Sequence, residues 1–271
     1  GTSAQVEASV LSLYDDARLK GPKAKGENVT WEQLDAALNS ELSKVAANGG
    51  NIRIVSNTIL SPSTLKSIED FKTKFPTTEH VMYDQVSMNG MAIANERSFG
   101  MKVIPSYDFS KADVIVSVGA DFLGTWGSTI ENTYQYAQTR KLKDKKMSRH
   151  FQFESNLTLT GSNADYRSMI KPSEEGTVIA NIYNIIAGKA GAASVNTKKL
   201  EQETITKAAN DLWKAKGKSL IVAGSNDPSV QVLVNAINNL LANYGTTIDL
   251  NTPVNYRKGD EASMDAFIKD A

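Results

Sequence analysis

The residues best placed for chemistry are acidic side chains at the ends of apolar runs. In ADVIVSVGADFLGTW, residues 112–126, a strand-like run stops at Gly119 and sets Asp121 just beyond it, ahead of a second glycine and a helical pattern. Glu154 closes HFQFE (150–154) in the same way, and Gly224 to Asp227 follows SLIVAG (219–224). In an open α/β sheet the carboxyl ends of the strands are where nucleotides sit: an acidic side chain accepts from ribose hydroxyls, and a helix N-terminus attracts phosphate. The same grammar has a plainer use, because a glycine and a helix-capping aspartate are the ordinary way for a parallel strand to enter its crossover helix. The residues by themselves leave both readings open.

Other chemistries lose their residues. The chain of 271 residues has no cysteine, which excludes thiolate catalysis, disulfides and a Cys-ligated iron–sulfur cluster within it. His80 and His150 stand far apart, so a His-rich zinc site is not expected and each is read as a surface or packed residue. Phosphate-loop, H-E-x-x-H, G-x-S-x-G and G-x-G-x-x-G patterns are all missing. Of the acidic pairs, Asp15-Asp16 precedes a basic segment, and Glu174-Glu175 opens a helical pattern where acidic residues favour the helix dipole. Thirty Lys and Arg balance thirty Asp and Glu, so no global field draws nucleic acid or anionic lipid. No apolar run approaches the ~20 residues that cross a bilayer, and the opening Gly1 in place of Met is expected of a piece of a longer protein.

These residues need a frame. Thr30 to Gln33 reads as a capping box, followed by Trp31, Leu34, Leu38, Leu42 and Val45 at helical spacing, a face expected to be core. IRIVS (52–56) reads as a strand, Ser61-Pro62 starts a helix through Leu65, Ile68, Phe71 and Phe75, and EHVMYD (79–84) reads as the next strand. Helices are expected over 89–99, 130–141, around 177–187, near 198–216 and after Asp227-Pro228, with strands at 114–118, 150–154 and 219–224. Strands alternating with helices predict an α/β fold with mainly parallel sheets. AGKAGAASVNTKK (187–199) is the expected linker and RKLKDKKMSR (140–149) the expected exposed loop.

LYDDARLKGPKAKGENVTWEQLDAAL (13–38), ADVIVSVGADF (112–122), MIKPSEEGTVIANIYNII (169–186) and KSLIVAGSN (218–226) resemble segments of the large subunit of molybdopterin oxidoreductases. RHFQFESNLTLTGSNADYR (149–167) with PSEEG is more similar still to one branch, the molybdopterin oxidoreductase-like domain of the alternative complex III iron-sulfur subunit. The resemblance implies two interleaved Rossmann-like domains, as in the middle domains of that family: residues 1–107 with 191–271 as a discontinuous α/β domain, and 108–190 as the inserted one.

It also implies a function. That branch belongs to a bacterial quinol-oxidising respiratory complex on the periplasmic side of the inner membrane, and in it the fold is kept without the cofactor. By resemblance the chain is a non-catalytic scaffold domain, its partners are the other subunits of a membrane-bound respiratory complex, and its own complement of cofactors is none. Iron–sulfur clusters are expected elsewhere in the parent protein. The alternative is an oxidoreductase domain that binds molybdopterin guanine dinucleotide. The family positions for that cofactor fall on Ser87, where catalytic members ligate molybdenum, and on Gly119, Asp121 and Glu154 at the strand ends. The surroundings depart from the family: YDQVSMNGMAIA (83–94) lacks its Cys-His-Ser-Pro pattern, Glu154 replaces its usual Asp-Pro-Arg, and the following SNLTLTGSN (155–163) differs from it.

Overall fold

The computed structural model describes residues 2–142 and 147–270, so part of the Lys-rich stretch 140–149 lies outside the described residues. The chain divides into two compact units, Gly1–Gln85 with Gly259–Ala271, and Val86–Lys258.

In the first unit a short helix α1 (Ala4–Ala8) and a small hairpin, β1 (Lys23–Ala24) with β2 (Glu27–Asn28), precede α2 (Trp31–Ala47). The expected capping box starts α2: the Thr30 N–H donates to Gln33 Oε1 at 2.9 Å and the Gln33 N–H to Thr30 Oγ1 at 3.3 Å. Strands β3 (Ile52–Ser56) and β4 (Thr78–Met82) pair in parallel around α3 (Pro62–Lys74), with Ile52 opposite Thr78.

The apolar face of α2 is not core, contrary to expectation. No residue of α2 is buried, and Trp31 and Leu38 are 64% and 51% exposed. The reason is the size of the sheet: two strands of five residues close no core on both faces, since Val81 is their one buried apolar side chain and Val55 stays 48% exposed.

The second unit opens with α4 (Asn89–Phe99) and β5 (Ser106–Tyr107), then continues β6 (Val114–Val118), α5 (Thr129–Arg140), β7 (Arg149–Glu154), a single turn α6 (Leu159–Ser162), and β8 (Tyr166–Met169). It continues through α7 (Glu175–Ala190), α8 (Glu203–Lys214), β9 (Ser219–Ala223), α9 (Pro228–Leu240) and β10 (Ile248–Asp249), after which α10 (Glu261–Asp270) belongs to the first unit. Strands β8, β7, β6 and β9 form one parallel sheet in that order, with Val114 of β6 opposite both Arg149 and Ser219. Every residue of β6 and β9 is buried, as in parallel strands covered on both faces. Phe151, Phe153, Ile179, Ile182 and Leu212 fill one side, while Phe109, Phe122, Ile115 and Leu220 fill the other.

The expected boundaries at 107/108 and 190/191 both fall inside this unit. Its sheet is the cause: β9 pairs with β6, so the chain beyond 190 completes the sheet begun before it. The α4 helix also belongs here, because the Asn235 amide of α9 donates to Asn95 and Ser98 at 2.9 and 3.2 Å. The expected linker 187–199 is likewise fastened down. Asn184 exchanges hydrogen bonds with the Val195 backbone, and the Asn181 amide donates to the Lys198 carbonyl at 2.8 Å, so two asparagines of α7, one buried and one half-buried, hold the passing chain.

Candidate functional site

From β6 the sheet winds outward through β7 to β8, then returns to place β9 on the other edge of β6. The carboxyl ends of β6 and β9 are therefore the topological switch point, where connections leave in opposite directions and a crevice opens. Three segments of the second unit meet at that crevice: the loop after β6 around Trp126, the loop after β9 around Asn226, and the start of α4 around Ser87. The cleft between them measures about 430 Å³ including its open mouth.

Tight backbone approaches build this region. Gly119 turns at a φ of 66°, its N–H donates to the Phe153 carbonyl at 2.8 Å, and a Cβ there would strike the Glu175 carboxylate. The Gly224 N–H donates to the Val118 carbonyl at 2.9 Å, and a Cβ on Gly224 would strike the Gly119 carbonyl. Glycine is thus required at 119 by its left-handed turn and at 224 by the close approach of the Gly119 backbone.

The α4 N-terminus faces the cleft but its amides are engaged. Half-buried Ser87 accepts from the Asn89 N–H through Oγ at 3.0 Å, and Asn226 Oδ1 accepts from the Gly90 N–H at 2.8 Å. Gly90 lies so close to the Asn226 carbonyl that a Cβ would collide with it.

The strand-end carboxylates are engaged too, and by one turn of the chain. Asp121 Oδ1 accepts from the Thr160 N–H at 3.1 Å and the Thr160 hydroxyl at 2.7 Å, while Oδ2 accepts from the Thr125 hydroxyl at 3.3 Å. Glu154 is buried; its Oε1 accepts from Arg167 Nε at 2.5 Å and the Thr158 N–H at 3.3 Å, and its Oε2 from the Thr158 hydroxyl at 2.6 Å and the Gln152 amide at 3.2 Å. Burial by itself would raise the Glu154 pKa, but the Thr158 and Arg167 hydrogen bonds hold it below the ordinary value. The threonines are used from both sides: Thr158 Oγ1 accepts from the Gly161 N–H at 3.0 Å and Thr160 Oγ1 from the Leu123 N–H at 2.9 Å. Gly161 permits the approach, since a Cβ there would meet the Glu154 carboxylate. Residues 158–161 thus cap β6 and β7 together.

The structure brings Gly119, Asp121 and Glu154 into one row of strand ends joined by that turn, and sets Ser87 in the adjoining cleft. Glu175, read from the sequence as a helix-start residue, lies against Gly119 with its carboxyl pKa raised by burial. Trp126 and Tyr256 line the cleft without having stood out in the sequence, because their meeting depends on β9 crossing back to β6. His150 is fully buried in the sheet, and His80 bonds Ser56 Oγ at 2.9 Å in the first unit. Among the described residues no group of three or more His, Cys, Asp or Glu could hold a metal ion.

The residues do not fit a guanosine-bearing pterin dinucleotide. Glu154 is filled from within the chain by four hydrogen bonds, Asp121 already accepts three, and neither Lys nor Arg lines the cleft to meet its pyrophosphate.

Comparison with known proteins agrees with the architecture. No family model matches the chain. It is 24% identical over 206 residues to the menaquinone reductase, molybdopterin-binding-like subunit, of Nitratidesulfovibrio vulgaris, an alignment covering 72% of this chain and 28% of that protein. Among solved structures it is similar to acetylene hydratase from Pelobacter acetylenicus, with a TM-score of 0.65, 13% identity, and coverage of 93% of this chain and 39% of that one. The formyltransferase/hydrolase complex from Methylorubrum extorquens gives a TM-score of 0.50 at 14% identity, covering 83% of this chain and 56% of that one. The chain thus spans well under half the length of the first two. The fold is a mixed α/β fold with parallel sheets, similar to molybdopterin oxidoreductase domains.

Proposed function

We propose that the chain is a non-catalytic scaffold domain of a quinol-oxidising respiratory complex of the alternative complex III type. The observation that carries this reading is that Thr158, Thr160 and Arg167 already engage the Asp121 and Glu154 carboxylates. A site that binds sugar hydroxyls keeps acceptors open until the ligand arrives; here the chain supplies the donors itself. The likeness to a molybdopterin-binding-like subunit of a menaquinone reductase supports an electron-transfer setting. On this reading the domain binds no cofactor, its partners are the other subunits of a membrane-bound complex, and it stands on the periplasmic side of the bacterial inner membrane. No helix among the described residues is long and apolar enough to cross a membrane, so attachment would come through those partners.

A scaffold works by burying surface and holding neighbouring carriers at fixed separations. The test is Ser87→Ala combined with Asp121→Asn and Glu154→Gln in the full-length subunit, isosteric choices that preserve the volume of the strand-end turn. Quinol oxidation by the purified, fully assembled complex should be unchanged. A large loss of turnover with assembly intact would move the molybdopterin guanine dinucleotide enzyme ahead, a reading that the place of Ser87 in the cleft favours.

A further inference from the structure

We propose that Asn48 is a modification site, at which the side-chain amide cyclises with the Gly49 backbone nitrogen to a succinimide that opens to aspartyl and isoaspartyl residues. The inference stands apart from the scaffold reading and rests on two asparagine–glycine steps that the fold treats differently.

Asn48-Gly49 and Asn89-Gly90 are the two such steps in the chain. Asparagine is a labile residue, and a following glycine leaves its own nitrogen unhindered and its backbone free to adopt unusual conformations. In the reaction the Gly49 amide gives its proton to hydroxide and its nitrogen bonds to Asn48 Cγ. The Cγ–Nδ2 bond breaks, and the nitrogen leaves as ammonia after taking a proton from water. Water then adds across one of the two carbonyl–nitrogen bonds of the ring. Opening at Cγ yields an aspartyl residue; opening at the main-chain carbonyl yields isoaspartyl, with one more carbon in the backbone.

Asn48 caps the C-terminus of α2, and Gly49 follows in the left-handed turn, φ 65°, that such ends favour. Both residues are exposed, and the Asn48 side-chain amide has no hydrogen-bond partner among the described residues. The reacting Gly49 N–H is held by the Ala46 carbonyl at 3.2 Å. Gly50 is pinned on both sides, its N–H donating to the Val45 carbonyl at 2.9 Å and its carbonyl accepting from the Thr77 hydroxyl at 2.7 Å. Movement is thereby confined to the 48–49 peptide, where a Cβ on Gly49 would meet nothing within 4 Å. One long, exposed hydrogen bond stands against the reaction, in the last turn of a helix that buries no residue, and such ends fray at little cost.

Asn89-Gly90 offers the same chemistry in the opposite setting. Both residues are buried in the first turn of α4. The Asn89 N–H donates to Ser87 Oγ at 3.0 Å and the Gly90 N–H to Asn226 Oδ1 at 2.8 Å, while the Asn226 carbonyl leaves Gly90 no room to turn. Freeing that nitrogen requires α4 to part from the loop after β9.

The test ages the whole chain in warm, mildly alkaline buffer and digests it with trypsin, which releases residues 45–53 and 75–97 as separate peptides. Fragmentation in the mass spectrometer assigns an amide-to-acid change to Asn48 or to the neighbouring Asn51, and chromatography separates aspartyl from isoaspartyl forms. Asn48 should convert at least about tenfold faster than Asn89, a ratio equivalent to ~1.4 kcal/mol of opening free energy. In concentrated urea the two rates should converge, since only the fold separates them. Asn48→Gln, which would have to close a larger ring, should suppress the change in the 45–53 peptide. The proposal is overturned if Asn48 keeps its amide in the native chain while the excised 45–53 peptide converts, if Asn89 converts as fast as Asn48 in the native chain, or if the product holds no isoaspartyl form.

Discussion

Acidification should destabilise the second unit through His150 before Glu154 and Asp165 respond. The imidazole lies on β7 in a row with Gln152 and Glu154, because alternate residues of a strand share a face. The Gln152 amide donates to Glu154, which turns its oxygen toward His150 Nε2 at 3.3 Å and places the ring proton there; Nδ1 lies 3.2 Å from the Tyr136 hydroxyl, for whose one proton it competes with the Asn163 carbonyl at 3.1 Å. Burial pushes the His150 pKa down from 6.5 to about 4. Protonation therefore favours the unfolded chain: the contribution is complete above pH 6.5, is lost as pH falls from 6.5 to about 4, and changes no further below that. The total is about 3 kcal/mol, of which about 2 kcal/mol is gone by roughly pH 5. Glu154 and Asp165, whose pKa values are lowered, add their losses only as pH drops through the ordinary carboxylate range and below.

Urea unfolding followed by tryptophan emission measures this. In a Trp31→Phe background the remaining tryptophans, Trp126 and Trp213, both report on the second unit. Stability should fall steadily over that pH window, and His150→Gln should flatten the slope whatever it does to the absolute value. An unchanged slope in the His150→Gln protein would refute the neutral, buried imidazole.

Three further outcomes follow from contacts. Thr160→Val removes the hydroxyl that joins Asp121 to the Leu123 N–H, and should cost about 1–3 kcal/mol by urea denaturation, with faster hydrogen exchange at Leu123. Gly90→Ala drives a methyl into the Asn226 carbonyl and should destabilise by about 1–3 kcal/mol in the same assay, whereas Gly188→Ala, in open space, should not. Leu38→Ala should change stability by less than about 0.5 kcal/mol, since its side chain is half exposed; a loss of several kcal/mol would mean that the α2 face is covered.

The parts legible in the sequence were those whose residues answer to local rules. β6 and β9 are mainly apolar runs that stop at a glycine, β7 sets Phe151 and Phe153 between polar residues and ends in Glu154, and all three are strands buried on both faces. Thr30, Ser61 and Asp227 cap the helices they were expected to cap, each accepting a backbone N–H one turn in. β8 escaped because YRSM alternates weakly and stands at the sheet edge, mostly exposed. α2 has the periodicity of a core helix, but periodicity states which face is apolar and says nothing of whether a surface exists to cover it. The division of the chain depended on the pairing of β9 with β6, a long-range choice that no segment carries alone.

The strand-end carboxylates leave a nucleotide little to gain. A sugar hydroxyl meeting Asp121 or Glu154 would have to displace Thr160 or Thr158, exchanging one hydrogen bond for another and orphaning a threonine at about 1–3 kcal/mol where it is buried. Thr160 is fully buried, so its cost applies in full. The strand-end carboxylates consequently offer a nucleotide no net free energy, although they occupy the positions where such folds bind one. Thr160→Val tests this: it removes the hydroxyl bond to Asp121 while the backbone N–H of that residue keeps its own at 3.1 Å, and it should improve guanosine nucleotide binding over the parent in a direct titration. Unchanged binding in the variant would mean that the turn is not what bars a nucleotide from the strand ends.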